Sequence, residues 1–243
     1  MFSSHENETQ PLSSSGGTSF GALESALCYL IASKRAGGTS DESRTEFSAS
    51  FSALIDWAQS SLFLRQESEF PIFGIPPVAF GQEHEAWYDE KTGRWFKATY
   101  PSKFGLSWGS DSATPLEYIQ RLMLQNDFFG DDIHLEAVVQ CGDRIRILTS
   151  QSHVQGEAAN YAEIQKWFLS LGYQRLEIGS RIAWYHLERN ILVADAHEGN
   201  VIKDTSGELL PIDLNVVVPE GKMLEEIRTM IVVEPDWPAD PWV

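Results

Sequence analysis

The chain has 243 residues, 42% of them hydrophobic and 12% aromatic, the make-up of a globular protein with a sizeable core and not of a disordered or fibrous one. Eighteen Lys and Arg stand against 35 Asp and Glu, a formal net charge of −17 that disfavours nucleic acid and anionic membrane surfaces as partners. Two cysteines, Cys28 and Cys141, are too few for a disulfide framework or a cysteine zinc site, and their apolar neighbours predict buried, inert thiols.

Residues 1–18 are rich in Ser, Gly and Asn and lack the basic start and apolar core of a secretory signal, so disorder and a cytoplasmic location are expected. The longest uninterrupted apolar run, residues 26–32, is too short to cross a bilayer. Phe20, Leu23, Leu27, Leu30 and Ile31 fit one helical stripe, and Phe47, Phe51, Leu54, Ile55, Ala58 and Leu62 fit another. With the break at Gly37-Gly38-Thr39-Ser40 they predict an N-terminal helical hairpin, residues 19–70, whose role is packing support.

The texture changes at Phe70-Pro71. Strand-like runs at 86–88 and 95–100 flank the turn Glu90-Lys91-Thr92-Gly93, a hairpin signature. A helix then starts with Thr114 as N-cap, Pro115 at its first position and Glu117 three residues after the cap, and runs to about Asn126. Runs 135–139 and 144–148 form a second hairpin around Gly142-Asp143, and a helix over about 158–171 stops at Gly172. Three more strands follow at 191–193, 201–203 and 209–212, the last two joined by Asp204-Thr205-Ser206-Gly207. Hairpins alternating with single helices predict an α+β fold in two lobes, not a doubly wound parallel sheet.

Residues 191–214, ILVADAHEGNVIKDTSGELLPIDL, carry the chemistry. If 201–203 and 209–212 pair across their turn, Asn200 and Asp213 both lie at the open end. An amide oxygen and a carboxylate suit Mg²⁺ that keeps its waters. Asp195, five residues earlier, is placed to accept a proton from a hydroxyl, and these are the parts that phosphoryl transfer asks of a protein.

Asp195-x-x-x-x-Asn200 with Asp213 thirteen residues on resembles the catalytic loop and metal-binding segment of the protein-kinase-like superfamily. Asp195-Ala196-His197-Glu198-Gly199-Asn200-Val201 is most similar to the D-L-H-P-G-N-V of aminoglycoside and choline-type phosphotransferases, and Ile212-Asp213-Leu214 to their I-D-[WF]. Gly81 to Lys97, Asn126 to Asp132 and Ser150-Gln151 resemble the small kinase domains of bacterial and phage-associated polyvalent proteins. The resemblance covers about residues 72–218. It implies a two-lobed protein-kinase-like fold with a reduced C-lobe over residues 71–243, the N-lobe about 71–148 and the C-lobe about 153–243. It also implies ATP and Mg²⁺ as cofactors, with Lys97 on the phosphates, Gly81 in the loop over them and Asp195 as catalytic residue. Asn200 and Asp213 would hold the metal, and Ser150 and Gln151 would lie in a hinge, residues 148–152, whose backbone meets adenine. Glu117 is expected as the ion-pair partner of Lys97, and the competing reading is a capping box with Thr114, which explains it without any nucleotide. His197 is expected to orient the catalytic loop through its ring nitrogens.

The chain also departs from the pattern. Val193-Ala194 replace the usual His-Arg before Asp195, so an Arg-paired phosphoswitch is not expected, and one glycine stands where protein kinases use three. The segment after Asp213 is too short for a helical peptide-docking subdomain, which favours a small-molecule or partner-presented acceptor. Gly105-Leu106-Ser107-Trp108-Gly109 matches G-x-S-x-G but lacks the strand–turn–helix setting that a serine nucleophile needs. His84-Glu85 and His197-Glu198 lack the second histidine of a zincin. The Pro- and Trp-containing end, residues 235–242, is expected to pack on the body. The sequence thus reads as an ATP-dependent phosphotransferase, with a catalytically inert, nucleotide-binding pseudokinase scaffold as the alternative.

Overall fold

The computed structural model describes residues 19–36, 43–105, 112–178 and 181–231. The expectations for 1–18, for most of the G-x-S-x-G loop and for the Trp-containing end lie outside the described residues.

Helix α1 (Ser19–Ala36) buries Leu23, Ala26 and Leu30, and α2 (Ser43–Ser60) buries Leu54, Trp57 and Ala58. The two pack together, pinned by Trp57 Nε1 donating to Ser25 Oγ at 3.1 Å and by the Lys34–Glu46 ion pair. Cys28 lies off the buried stripe of α1 and is exposed, correcting the expectation of a buried thiol; Cys141 is half-buried and both thiols are free.

Strand β1 (Leu64–Gln66) follows, then two short 3₁₀ turns (Glu67–Glu69, Pro71–Gly74), β2 (Ala79–Phe80), β3 (His84–Asp89) and β4 (Arg94–Thr99). Helix α3 (Pro115–Phe129) leads to β5 (His134–Cys141) and β6 (Arg144–Ser152). These strands form one sheet in the order β1-β5-β6-β4-β3-β2, antiparallel except for β1 beside β5. One face of the sheet buries Trp87, Ala98, Ala137, Val139 and Leu148 under Phe70, Ile72 and Phe73 of the 3₁₀ turns. The other face packs Leu135, Val138, Ile145 and Ile147 against α1, α2 and α3 in one core. Strand alternation puts Lys97, opposite Thr149, on this helix-covered face.

Beyond β6 come β7 (Gly156–Ala158), α4 (Tyr161–Ser170), β8 (Gln174–Ile178), β9 (Arg181–His186) and β10 (Ile191–Ala194). Last are β11 (Val201–Asp204), β12 (Leu209–Pro211), β13 (Asn215–Val217) and α5 (Gly221–Met230). They make a four-stranded sheet, β13-β10-β9-β8, and a three-stranded sheet, β12-β11-β7. Their core holds Phe168 stacked on Trp184 at 4.9 Å, with Val193, Val201 and Val216. Leu124, Phe128 and Phe129 at the far end of α3 pack on this second core, so α3 touches both. The helix expected from about 158 starts later, because the Asn160–Glu163 capping box fixes its first turn while residues 156–158 pair with β11. Among the described residues no helix is long and apolar enough to cross a membrane.

Candidate active site

The β11–β12 hairpin sets the registers that matter. Asp204 Oδ1 accepts the N–H groups of Ser206 and Glu208, closing the turn, and Val201 pairs with Pro211. One step further the Ile212 N–H donates to Asn200 O at 2.9 Å, so Asn200 and Asp213 stand together at the open end.

The loop that enters the hairpin bends at Asp195, whose φ of +61° lies in the left-handed region that Asp tolerates better than most residues. The bend is held from inside. Asn200 Nδ2 donates to Asp195 O at 2.9 Å and to Asp195 Oδ2 at 3.1 Å. The Gly199 N–H donates to His197 Nδ1 at 3.0 Å, which leaves the neutral ring's proton on Nε2, 3.6 Å from Asp195 Oδ1. The Asp195 side chain remains 62% exposed. Since Asn200 spends its amide nitrogen on Asp195, its amide oxygen is free to face elsewhere.

Lys97 reaches this end from the large sheet. Its Nζ donates to Ile212 O at 2.9 Å, beside Asp213. Asp213 is half-buried, and burial alone would raise its carboxyl. Lys97, His84, Arg121 and His197 outweigh that and hold it below the usual carboxylate range. Burial pushes the His84 pKa down to about 4, so at neutral pH His84 is uncharged and Lys97 and Arg121 carry the effect from the sheet side.

Helix α3 supplies the floor. Tyr118, Arg121 and Gln125, spaced three and four residues apart, share its buried face. Tyr118 Oη and His84 Nε2 are hydrogen-bonded at 2.8 Å, and burial raises the Tyr118 hydroxyl. Arg121 takes both oxygens of Glu83 in a two-pronged pair at 3.1 and 2.5 Å. Burial pulls against the Arg121 charge, but the bonds to Glu83 raise its pKa. Gln125 Oε1 accepts the Leu214 N–H at 3.0 Å.

The predicted residues divide accordingly. Lys97, Asn200 and Asp213 converge with Asp195 on one side of the molecule. Glu117 is not brought to Lys97: it is exposed and closes the capping box, accepting the Thr114 N–H at 2.7 Å. The first helical turn has orphan donors, and a carboxylate three residues past the cap satisfies one of them. Gly81 sits in a tight turn whose own N–H donates to His84 O at 2.9 Å, so that donor is already spent.

Ser150 and Gln151 are buried in β6, where Ser150 stands opposite Phe96 on one side and His134 on the other. Residues 148–152 are thus a laddered strand and not an open hinge, because β4 pairs with β6 up to Ser152. Ser150 Oγ donates to Glu136 at 2.5 Å and Gln151 Nε2 to Asp131 at 2.6 Å.

Sequence reading missed Glu83, His84, Tyr118, Arg121, Gln125 and Asp131 as site-forming residues. It also missed the Tyr88–Trp95–His153 aromatic cluster at the end of the Lys97 face, with ring centroids 5.2 to 6.3 Å apart. The i, i+3, i+7 polar pattern at Tyr118, Arg121 and Gln125, inside an apolar stripe, was the available signal.

Among the described residues no group of three or more His, Cys, Asp and Glu is arranged to hold a metal ion. Asn200 and Asp213, adjacent at the open end of the hairpin, carry an amide oxygen and a carboxylate, the hard donor types that suit a hydrated Mg²⁺.

The family model of the serine/threonine/tyrosine kinase found in polyvalent proteins matches residues 52–219, well over half of the chain. No curated protein and no solved structure matches it.

Proposed function

Since the chain belongs to the serine/threonine/tyrosine kinase family of polyvalent proteins, we propose that it is an ATP- and Mg²⁺-dependent phosphotransferase with a two-lobed kinase-like core. The large sheet with α3 forms one lobe, the two smaller sheets with α4 and α5 form the reduced second one, and α1 and α2 brace the first. The observation that carries the reading is the bond from Lys97 Nζ to Ile212 O, which seats an ammonium beside an ionised Asp213 across 115 residues of sequence.

In this reading Lys97 holds the transferred phosphate's neighbours, while Asn200 and Asp213 hold Mg²⁺. When bound, the metal neutralises phosphate charge. Asp195, exposed and fixed by Asn200, orients the acceptor hydroxyl and takes its proton as the new O–P bond forms and the bond to the ADP oxygen breaks. His197 keeps that carboxylate aimed. The acceptor is a hydroxyl of a small molecule or of a partner protein. Family membership points to a Ser, Thr or Tyr side chain, and the net charge of −17 argues against nucleic acid or an anionic membrane as partner. The cytoplasm, where nucleoside triphosphate is available, is the proposed compartment.

The test uses the full chain with γ-labelled ATP, Mg²⁺ and a panel of lysate proteins and small hydroxyl compounds. Asp195→Asn is expected to cut labelling by ~10²-fold or more, the scale of lost general-base help, while Mg-ATP still raises the melting temperature as in wild type. Nucleotide binding by wild type with no labelled product would support the pseudokinase alternative. Labelling undiminished in Asp195→Asn would show that another group takes the proton.

A further inference from the structure

A buried chain of polar groups runs from the large sheet to the backbone beside Asp213. Gln151 Nε2 donates to Asp131 Oδ2 at 2.6 Å, Gln125 Nε2 donates to the same oxygen at 2.5 Å, and Gln125 Oε1 accepts the Leu214 N–H at 3.0 Å. Asp131 Oδ1 accepts the Asp132 N–H at 2.8 Å. Gln151, Gln125 and Leu214 are only 4%, 1% and 2% exposed, so protein groups satisfy them.

We propose that Gln125 and Asp131 are positioning residues of the phosphotransfer site, fixing the main chain at Leu214 and with it the direction in which Asp213 presents its carboxylate. The inference rests on the phosphotransferase reading and adds to it two residues that touch neither nucleotide nor acceptor.

The chemistry of the amide gives the chain its direction. A flipped Gln125 would set Nε2 against the Leu214 N–H and Oε1 against the Asp131 carboxylate, two repulsive contacts in place of two bonds. Asp131 therefore selects the amide orientation, and the amide selects where Leu214 lies. Asp131 cannot drift, because Gln151 and the Asp132 N–H hold its two oxygens from other sides. Asp132 is in turn tied to Ser152 and Arg94. The Asp213 loop is thereby registered against β6, the strand paired with the one that carries Lys97. A loop located this way needs no reorganisation when charge arrives at Asp213. An apolar residue at position 125 would fill space but leave the Leu214 N–H without an acceptor.

The experiment compares full-length wild type with Gln125→Met, Asp131→Asn and the double variant Gln125→Glu/Asp131→Asn, which conserves net charge and lets the amide at 131 donate to the carboxylate at 125. Two quantities are read: the Mg²⁺ concentration for half of the ATP-induced rise in melting temperature, and hydrogen exchange at the Leu214 amide. Gln125→Met is expected to raise the half-saturating Mg²⁺ concentration ~10-fold, the scale for lost ligand-orienting contacts, and to speed Leu214 exchange. The double variant is expected to recover part of both losses, which a mere packing defect would not. A Gln125→Met protein that is less stable but has wild-type Mg²⁺ dependence overturns the inference, as does a double variant worse than either single one. If wild type shows no Mg²⁺-dependent shift at all, the phosphotransferase reading falls and takes the inference with it.

Discussion

On the sheet side of the site, His84, Tyr118, Arg121 and Gln125 are buried, and each has a partner from a different element. On the hairpin side, Asp195 and His197 are exposed and, among the described residues, bond within their own six-residue loop. The contrast fits a division of labour. In the proposed phosphotransferase, the buried groups behind Asp213 benefit from a fixed, partly desolvated setting where charge acts strongly. Asp195, proposed to meet the acceptor, benefits from access, and a short internally bonded loop keeps it aimed without closing it off.

If the buried side is truly the rigid one, the sharpest way to break it is at its ion pair. Arg121→Met leaves Glu83 largely buried without its cation, and is expected to cost about 4 kcal/mol of folding stability by chemical denaturation. A cost below about 1 kcal/mol would mean that solvent already supports Glu83. The next effect is a pH dependence that arises on the buried side. The folded pKa of His84, about 4, lies below its ordinary 6.5, so the unfolded chain binds the proton more readily. Its contribution is complete above pH 6.5 and falls away between pH 6.5 and 4, by about 3 kcal/mol in all. Stability measured against pH in wild type and His84→Gln is expected to differ by that slope. A parallel pair of curves would place the proton elsewhere. The smallest effect lies at the turn between β2 and β3. Gly81 has no positive φ and no atom within 4 Å of where a Cβ would sit, so Gly81→Ala is expected to shift stability by less than about 0.5 kcal/mol. Any loss of Mg-ATP affinity in that variant then reports contact with phosphate.

The hairpin side was the more legible half in the sequence, for a physical reason. Asp195, Asn200 and Asp213 are placed by one turn and one short antiparallel register, all within a single stretch of chain. The cap at Thr114-Pro115 was equally plain, since capping is settled within four residues. The sheet side depends on contacts between residues far apart, such as Arg121 with Glu83 and Gln125 with Leu214, which no local pattern encodes. Glu117 shows the cost of reading spacing alone: it lies on the correct helix, one turn before Arg121, but its carboxylate closes the cap at Thr114. Strands β8 and β9 passed unnoticed because their residues mix charge with apolar groups, whereas β10 is a plain apolar run. Strand β1 escaped because parallel pairing with a strand some 74 residues later has no local signature.

That last strand bears on how the molecule can be taken apart. Leu64, Arg65 and Gln66 cover the outer edge of β5, and the chain just before them supplies Leu23, Leu54 and Trp57 to the same core as Ile119 and Ile147. A fragment beginning after residue 70 would therefore expose a row of unpaired backbone donors and acceptors next to a stripped apolar face. Such an edge invites strand addition from a neighbouring molecule. Aggregation of a trimmed protein would then report a missing strand and not a faulty active site, and assays of a shortened form would have to be read with that in mind.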